Sequence, residues 1–187
     1  MQSLDLPDDL PVPEDDGGAS HLAGTAMPSV SLQATDDSLV DLAGFTGRTV
    51  VYIYPMTGRP DRALPDGWDA IPGARGCTPQ SCAFRDHHAE LATLGARVFG
   101  LSSQTSDYQR EAHARLHLPF ALLSDSAFAL ADALRLPTFD DAGERLYRRL
   151  TLILQGERIE HVFYPVFPPN ENAERVLDWL RANPSGA

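Results

Sequence analysis

Residues 76–82 read Gly-Cys-Thr-Pro-Gln-Ser-Cys, and this stretch indicates how the chain around it folds. Thr78 is suited to be a helix N-cap and Pro79 a first-turn proline, and apolar residues then recur near helical spacing until Gly95. Cys77 is therefore predicted to lie at the start of a helix, where free backbone N–H groups favour an anion. A thiol in such a position is readily ionised and reactive.

Strand-like and helix-like segments alternate on both sides of this stretch. Residues 49–54 are a β-branched and aromatic run typical of a buried strand, and residues 97–101 are a second strand that completes a βαβ unit. The further predicted elements are a helix at 107–116, a strand at 120–123, a helix at 127–134, a hairpin of 147–154 with 158–163, and a helix at 172–182. This order predicts an α/β, thioredoxin-like fold with a central mixed sheet and helices on both faces.

Two segments fall outside this pattern. Residues 1–24 form an acidic extension rich in Pro and Gly, which we expect to be loosely ordered. Residues 25–187 form the predicted domain, and residues 56–76 form a long Gly- and Pro-rich loop inserted in it.

The charge balance excludes several functions. The chain has 15 basic and 26 acidic residues, a formal charge of −11, and every basic residue is arginine. Without lysine there is no Schiff-base nucleophile and no phosphate-loop lysine, and the negative charge disfavours nucleic acid and anionic membranes as partners. The acidic start and the lack of an apolar run of about 20 residues argue against a signal peptide and a membrane span, so we expect a cytoplasmic protein.

The surroundings of Cys77 differ in charge from the rest of the chain. Residues 70–85 contain no Asp or Glu, although an even distribution would place about two there. Arg75 and Arg85 lie on either side of Cys77 and add positive charge. The less specific interpretation is that Cys77 is a small buried residue.

Cys82 follows Cys77 at a spacing that matters for disulfide chemistry. Five residues of helix place two Cα atoms roughly 8 to 9 Å apart on different faces, whereas a disulfide needs about 7 Å or less. The pair can bond only if the first turns of the helix unwind, which suits a catalytic pair better than a permanent bridge. Zinc is the alternative, with His87 and His88 as further ligands, but positions that step by about 140° around one helix do not converge on one ion. We expect no metal and no organic cofactor.

The segment that contains both cysteines resembles the active-site helix of the peroxiredoxins, in particular the bacterioferritin comigratory protein or peroxiredoxin Q group. The resemblance begins with Gly76-Cys77-Thr78-Pro79-Gln80-Ser81-Cys82 and Phe84-Arg85-Asp86 and extends over roughly 150 residues. Its other parts are residues 50–55, 95–102, 118–125 and 149–154.

The resemblance implies a thiol-dependent peroxidase. Cys77 would be the peroxidatic cysteine, which attacks the peroxide O–O bond and becomes a sulfenic acid. Cys82 would be the resolving cysteine, which forms an intramolecular disulfide that a thioredoxin-like or glutaredoxin-like donor reduces. Arg149 matches the arginine that stabilises the thiolate, although Arg148 is adjacent and a strand turns only one of the two inward. Gln80 matches a Glu or Gln common three residues after the cysteine, and an exposed first-turn residue is the alternative.

The chain departs from the family pattern just before Cys77. The pattern has a threonine three residues before the cysteine, where this chain has Ala74, and the motif proline matches Pro55, which lies 22 positions before Cys77. About 15 residues are therefore inserted within residues 56–76, as a lid or wall over the peroxide pocket or as an inert surface loop. Thr57, another donor or a water molecule is left to supply the missing hydroxyl.

The expected substrate is hydrogen peroxide or a small organic hydroperoxide. Because the disulfide closes within one chain, we expect a monomer. The competing hypothesis, from a different functional class, is a thiol redox sensor that uses the same cysteine pair to change a binding surface without efficient turnover.

Overall fold

The computed structural model describes residues 6–184 of the chain. Its strands are β1 (Ser31–Ala34), β2 (Leu39–Asp41), β3 (Arg48–Ile53), β4 (Ala96–Ser102), β5 (Leu122–Ser124), β6 (Thr138–Asp141), β7 (Glu144–Tyr147), β8 (Leu150–Gln155) and β9 (Arg158–Phe163). Its α-helices are α1 (Cys77–Asp86), α2 (His88–Thr93), α3 (Ser106–Arg115), α4 (Ala129–Leu134) and α5 (Asn172–Ala182). Short 3-10 helices lie at Leu42–Gly44, Trp68–Ala70 and Pro169–Glu171.

Seven strands form one mixed sheet in the order β2-β1-β5-β4-β3-β8-β9. Strands β3, β4 and β5 run parallel, whereas β8 pairs antiparallel with β3 and β9 pairs antiparallel with β8. Strands β6 and β7 form a separate two-stranded sheet. The predicted thioredoxin-like α/β fold with a central mixed sheet is confirmed.

Strand β3 is buried along its whole length because other elements cover both faces of the sheet. Alternate side chains of a strand point to opposite faces. Val50 and Tyr52 pack in a core that α1 and α5 close, whereas Val51 and Ile53 pack in the core on the other face, which α4 closes. The end of β3 therefore lies beneath α1, where the rings of Tyr52 and Phe84 stack with their centroids 4.5 Å apart.

Part of the acidic extension belongs to the core. Ala19 and Leu22 are buried in the cluster that α4 closes, and the N–H of Gly24 donates to the carbonyl of Ile159 at 2.8 Å. The composition of the extension indicates an acidic surface but does not predict that Ala19 and Leu22 are buried in the core.

Three local expectations are wrong. The helix expected to continue to Gly95 is two helices, because the backbone leaves helical geometry at His87 (φ −95°, ψ 5°) between α1 and α2. The N-cap of α1 is Gly76 rather than Thr78. The strand expected at 147–154 begins at Leu150, because the preceding residues fold back as β6 and β7.

Within residues 6–184, no helix combines the length and the apolar character needed to cross a membrane.

Candidate active site

Cys77 is the first residue of α1, and the residue before it has to be glycine. Gly76 has a left-handed backbone (φ 105°) and caps the helix without a side chain. A Cβ at this position would lie 2.3 Å from Cγ of Pro169, so a larger residue would both strain the backbone and collide with that ring. The α1 N-terminus is thereby held against the 3-10 helix that precedes α5, and the Cys77 side chain is only 3% exposed.

Arg149 reaches Cys77 from the sheet. It directly precedes β8, which lies beside β3, and its Nη2 lies 3.1 Å from the Cys77 Sγ. The same guanidinium donates to the carbonyl oxygens of Gly73, Ala74 and Arg75 at 3.3, 3.0 and 3.2 Å. Arg149 therefore attaches the loop in front of Cys77 to the sheet.

The guanidinium of Arg149 is buried without a carboxylate. Arg149 is 4% exposed, and no Asp or Glu within residues 6–184 forms an ion pair with it. Its remaining partner is the neutral Oε1 of Gln80. A buried charge is costly unless an opposite charge pairs with it. The Cys77 sulfur is in contact with this guanidinium and lies at the N-terminus of α1, the positive end of the helix.

Arg148, which lies with Arg149 in the short link between β7 and β8, takes the other orientation. It is 40% exposed and lies 3.7 Å from the carboxylate of Asp16. The open question of which arginine faces the site is answered by these two positions: Arg149 points inward and Arg148 points to the surface.

Gln80 is not an exposed first-turn residue. It is fully buried, and its Nε2 donates to Oδ1 of Asn172 at 2.9 Å. Thr151 in β8 donates to the same oxygen at 2.7 Å. Asn172 was missed by sequence reasoning, since nothing in the start of a predicted helix marks a contact with a site about 90 residues earlier.

A cavity of about 30 Å³ lies beside Cys77. This volume holds one or two water molecules, or the O–OH end of a hydroperoxide. Its apolar wall comes mainly from the inserted loop, with one residue of the N-terminal extension and one of α1, namely Met56, Leu64, Trp68, Leu6 and Pro79. Residues of the insertion therefore lie beside Cys77.

Trp68 connects the inserted loop to the segment before Cys77. It is 3% exposed and packs with Ala74 and Leu146, and its ring centroid lies 6.4 Å from that of Phe139. Ala74 occupies the position where the family pattern has threonine, and it is buried in this apolar cluster.

Thr57 does not present its hydroxyl to Cys77. Its N–H and Oγ1 donate to Oε1 of Gln104 at 3.0 and 3.2 Å. Pro55 is buried two residues after the end of β3, and the cavity is lined by Met56 and Gly58, which follow it, rather than by Pro55 itself.

Tyr54 is a second residue that sequence reasoning missed. Its hydroxyl is buried and makes no well-formed hydrogen bond within the described part of the chain. Burial first, and the nearby Cys77 second, raise the pKa of the Tyr54 phenol well above its usual value. Tyr54 therefore keeps its proton at neutral pH, and its hydroxyl lies within reach of Ser102. Its position immediately before the motif proline is the signal that could have found it.

Cys82 lies on the same intact helix as Cys77, and both thiols are free. Cys82 is 5% exposed, and burial raises the pKa of its thiol, which Arg85 offsets only in part. Arg85 pairs with Asp86 at 2.8 Å and Arg75 pairs with Asp69 at 3.0 Å. The unpaired positive charge at Cys77 therefore comes from Arg149 and not from the two flanking arginines.

The N-terminal extension lies across the loop that precedes Cys77. Leu6 lines the cavity, and a Cβ on Gly73 would lie 3.4 Å from the Pro13 ring. Asp16 accepts a hydrogen bond from the hydroxyl of Tyr164 at 2.7 Å, and this bond is the main reason that the pKa of Asp16 is lowered.

A family model described as Redoxin matches residues 22–177, and the chain belongs to this family. Among curated proteins, it is 30% identical to peroxiredoxin Q, chloroplastic, of Oryza sativa subsp. japonica, over 85% of this chain and 66% of that protein. It is 29% identical to peroxiredoxin Bcp of Escherichia coli, over 85% of this chain and 95% of that protein. The chain thus spans slightly less than two thirds of the rice protein and nearly all of the bacterial one. These similarities place it in the peroxiredoxin Q and Bcp group.

Solved structures show the same fold. Peroxidoxin BcpB from Mycobacterium tuberculosis superposes with a TM-score of 0.71 at 22% identity, covering 87% of this chain and 99% of that one. Peroxiredoxin Q from Xanthomonas campestris superposes with a TM-score of 0.69 at 22% identity, covering 87% and 97%.

Proposed function

We propose that the chain is a thiol-dependent peroxidase that reduces hydrogen peroxide and small organic hydroperoxides. The observation that carries this proposal is the contact between Cys77 and a buried Arg149 that has no carboxylate partner in the described structure. In the proposed reaction the Cys77 sulfur attacks as the thiolate, and the Arg149 guanidinium in contact with it is the counterion. The cavity beside Cys77 has room for the O–OH end of a hydroperoxide.

The first chemical step is attack by the Cys77 thiolate on the terminal oxygen of the hydroperoxide. The S–O bond forms as the O–O bond breaks, and sulfur becomes a sulfenic acid while the alkoxide or hydroxide leaves and takes up a proton. Negative charge moves from sulfur to the leaving oxygen. Arg149, which already holds the sulfur, is placed to stabilise this charge throughout the displacement.

Cys82 completes the cycle as the resolving cysteine. Its thiol condenses with the sulfenic acid to give an intramolecular disulfide and water, and a thioredoxin-like or glutaredoxin-like dithiol then reduces the disulfide. Because both cysteines lie on α1, this step requires the first turns of α1 to unwind. No second subunit has to supply a residue, which favours a monomer.

The inserted loop acts as a wall of the peroxide pocket. Trp68 supports this assignment because it packs on Ala74 next to Cys77 and lines the cavity. Deleting residues 59–69, which removes Leu64 and Trp68, should alter the rate constant for peroxide. Unchanged peroxide kinetics in this deletion variant would argue for an inert loop.

The test of the proposed function is stopped-flow reaction of the reduced protein with hydrogen peroxide, with mass spectrometry of the products. We expect a rate constant far above that of a free thiol, no reaction in Cys77→Ser, and accumulation of sulfenic or sulfinic acid in Cys82→Ser. A rate no faster than that of a free thiol rejects the peroxidase. Fast oxidation without turnover by any thioredoxin-type donor indicates a redox switch instead.

A further inference from the structure

Four buried side chains form one continuous hydrogen-bonded chain that ends at the reactive sulfur. Arg149 donates to Gln80, Gln80 donates to Asn172 at 2.9 Å, and Thr151 donates to the same Asn172 oxygen at 2.7 Å. All four residues are at most 4% exposed. They come from the segment before β8, from α1, from α5 and from β8, so the chain connects three elements around the site.

The direction of every bond in this chain follows from Arg149. A guanidinium has donors only, so Gln80 must present Oε1 to it and Nε2 to Asn172. Asn172 must then present Oδ1 to Gln80, and the Thr151 hydroxyl, which is able to donate or accept, must donate. The opposite orientation of either amide would place two donors face to face.

This arrangement leaves the charge of Arg149 free for Cys77. Gln80 is held by a neutral amide on its far side, and the group that it presents to Arg149 is itself neutral. A carboxylate at either place would compete with the sulfur for the guanidinium. The chain therefore fixes the direction of Arg149 without neutralising it.

We propose that Asn172 is a positioning residue for the reaction at Cys77, and this inference rests on the proposed peroxidase function. Asn172 sets the orientation of the Gln80 amide, and Gln80 in turn keeps Nη2 of Arg149 directed at the sulfur. Without Asn172, Gln80 Nε2 and the Thr151 hydroxyl lose their shared acceptor, and the amide is free to rotate.

The experiment compares Asn172→Ala with the wild type by two measurements. The first is the pH at which half of Cys77 is ionised, obtained from the rate of alkylation by iodoacetamide in a Cys82→Ser background. The second is the rate constant with hydrogen peroxide. We expect the ionisation midpoint to rise and the rate constant to fall by about 10-fold, the lower end of the loss found when a group that orients a metal ligand is removed.

Two matched controls separate positioning from folding. Asn170→Ala removes an exposed asparagine two residues away and should leave both measurements unchanged. Thr151→Val keeps the shape of the side chain but removes its donor and should shift both measurements in the direction of Asn172→Ala, whereas Thr151→Ser should not. These substitutions also keep the inference testable if Asn172→Ala folds poorly.

A double variant tests the route through Gln80. If Asn172 acts through Gln80, adding Asn172→Ala to Gln80→Ala causes no further change in midpoint or rate. An equal effect in both backgrounds overturns the proposal, and so does a lower Tm with an unchanged midpoint and rate. Alkylation uses no peroxide, so a wild type that fails to consume peroxide would reject the peroxidase while the positioning role is still measured.

Discussion

The Nη2 of Arg149 lies 3.1 Å from the sulfur of Cys77, and the same nitrogen also binds the carbonyl oxygens of Ala74 and Arg75. One guanidinium therefore holds both the reactive atom and the backbone that positions it. Electrostatic stabilisation and local folding at this site depend on the same side chain.

Replacing Arg149 tests the electrostatic part of this relationship. Arg149→Met should lower the rate constant with hydrogen peroxide by about 10²- to 10³-fold, the loss that follows removal of one preorganised donor at a site of developing charge. Arg149→Lys should recover only part of it, because an ammonium cannot reproduce the planar set of donors. Arg148→Met, which alters the exposed neighbour, is the matched control and should keep the wild-type rate.

The two cysteines should differ in their pH dependence. Because burial raises the pKa of the Cys82 thiol, Cys82 is protonated at neutral pH and iodoacetamide should label Cys77 first. Labelling of Cys82 should increase as the pH rises above about 8.5, the ordinary thiol pKa. Peptide mass spectrometry measures both sites, and in denaturant the order of labelling should disappear. Preferential labelling of Cys82 at pH 7 would contradict this assignment.

The raised pKa of Cys82 also has a consequence for stability. Below the ordinary thiol pKa both the folded and the unfolded chain hold this proton, so the free energy of unfolding does not change with pH through Cys82. As the pH rises through about 8.5 the unfolded chain releases the proton first, so the free energy of unfolding decreases until the folded pKa is reached. Cys82→Ser should show a smaller decrease between pH 8 and 10 in urea denaturation. An identical decrease in both proteins would show that other groups cause it.

Gly76→Ala should be more damaging than a glycine substitution elsewhere. A left-handed backbone costs a non-glycine residue about 1–2 kcal/mol, and at Gly76 the added Cβ also meets the Pro169 ring at 2.3 Å. Gly47 has a similar positive φ of 75° but nothing within 4 Å of an added Cβ, so Gly47→Ala isolates the backbone cost. Gly76→Ala should therefore have a lower free energy of unfolding in urea and a lower rate constant with peroxide than Gly47→Ala. Equal losses would mean that the contact with Pro169 is readily relieved.

Trp68→Ala should change the selectivity of the pocket. Truncating a buried tryptophan costs about 3–5 kcal/mol of stability, and here it also enlarges the cavity beside Cys77. We expect the rate with cumene hydroperoxide to rise relative to that with hydrogen peroxide. Trp179→Ala is the matched control, because Trp179 stacks on His161 and does not line the cavity. Its ratio of the cumene hydroperoxide rate to the hydrogen peroxide rate should equal that of the wild type.

Much of this arrangement could be predicted from local sequence. The position of Cys77 at a helix start follows from the glycine and proline around it, and the buried β3 follows from its β-branched and aromatic residues. The sequence predicts that one of Arg148 and Arg149 faces the site. It does not decide which one, because alternation along a strand does not say which face of the strand meets the site.

The contacts that could not be predicted join distant parts of the chain. Asn172 and Leu6 reach the site from opposite ends of the sequence, and neither carries a local pattern that indicates its partner. Thr57 was one of the groups considered for the missing hydroxyl, but its hydroxyl donates to Gln104 instead. Such pairings depend on how the loop and α5 pack, which periodicity does not encode.

The guanidinium bound to the backbone of residues 73–75 links the oxidation state of Cys77 to the order of that backbone. If Cys77 is oxidised as proposed, a thiolate becomes an uncharged sulfenic acid, and Arg149 loses its counterion while still buried. The reaction with peroxide thereby weakens the interaction that holds the start of α1 in place, at the stage when α1 has to unwind for Cys82 to approach. Oxidation of Cys77 and unwinding of α1 are then coupled in time, because oxidation removes the negative charge on the sulfur and unwinding follows from that loss.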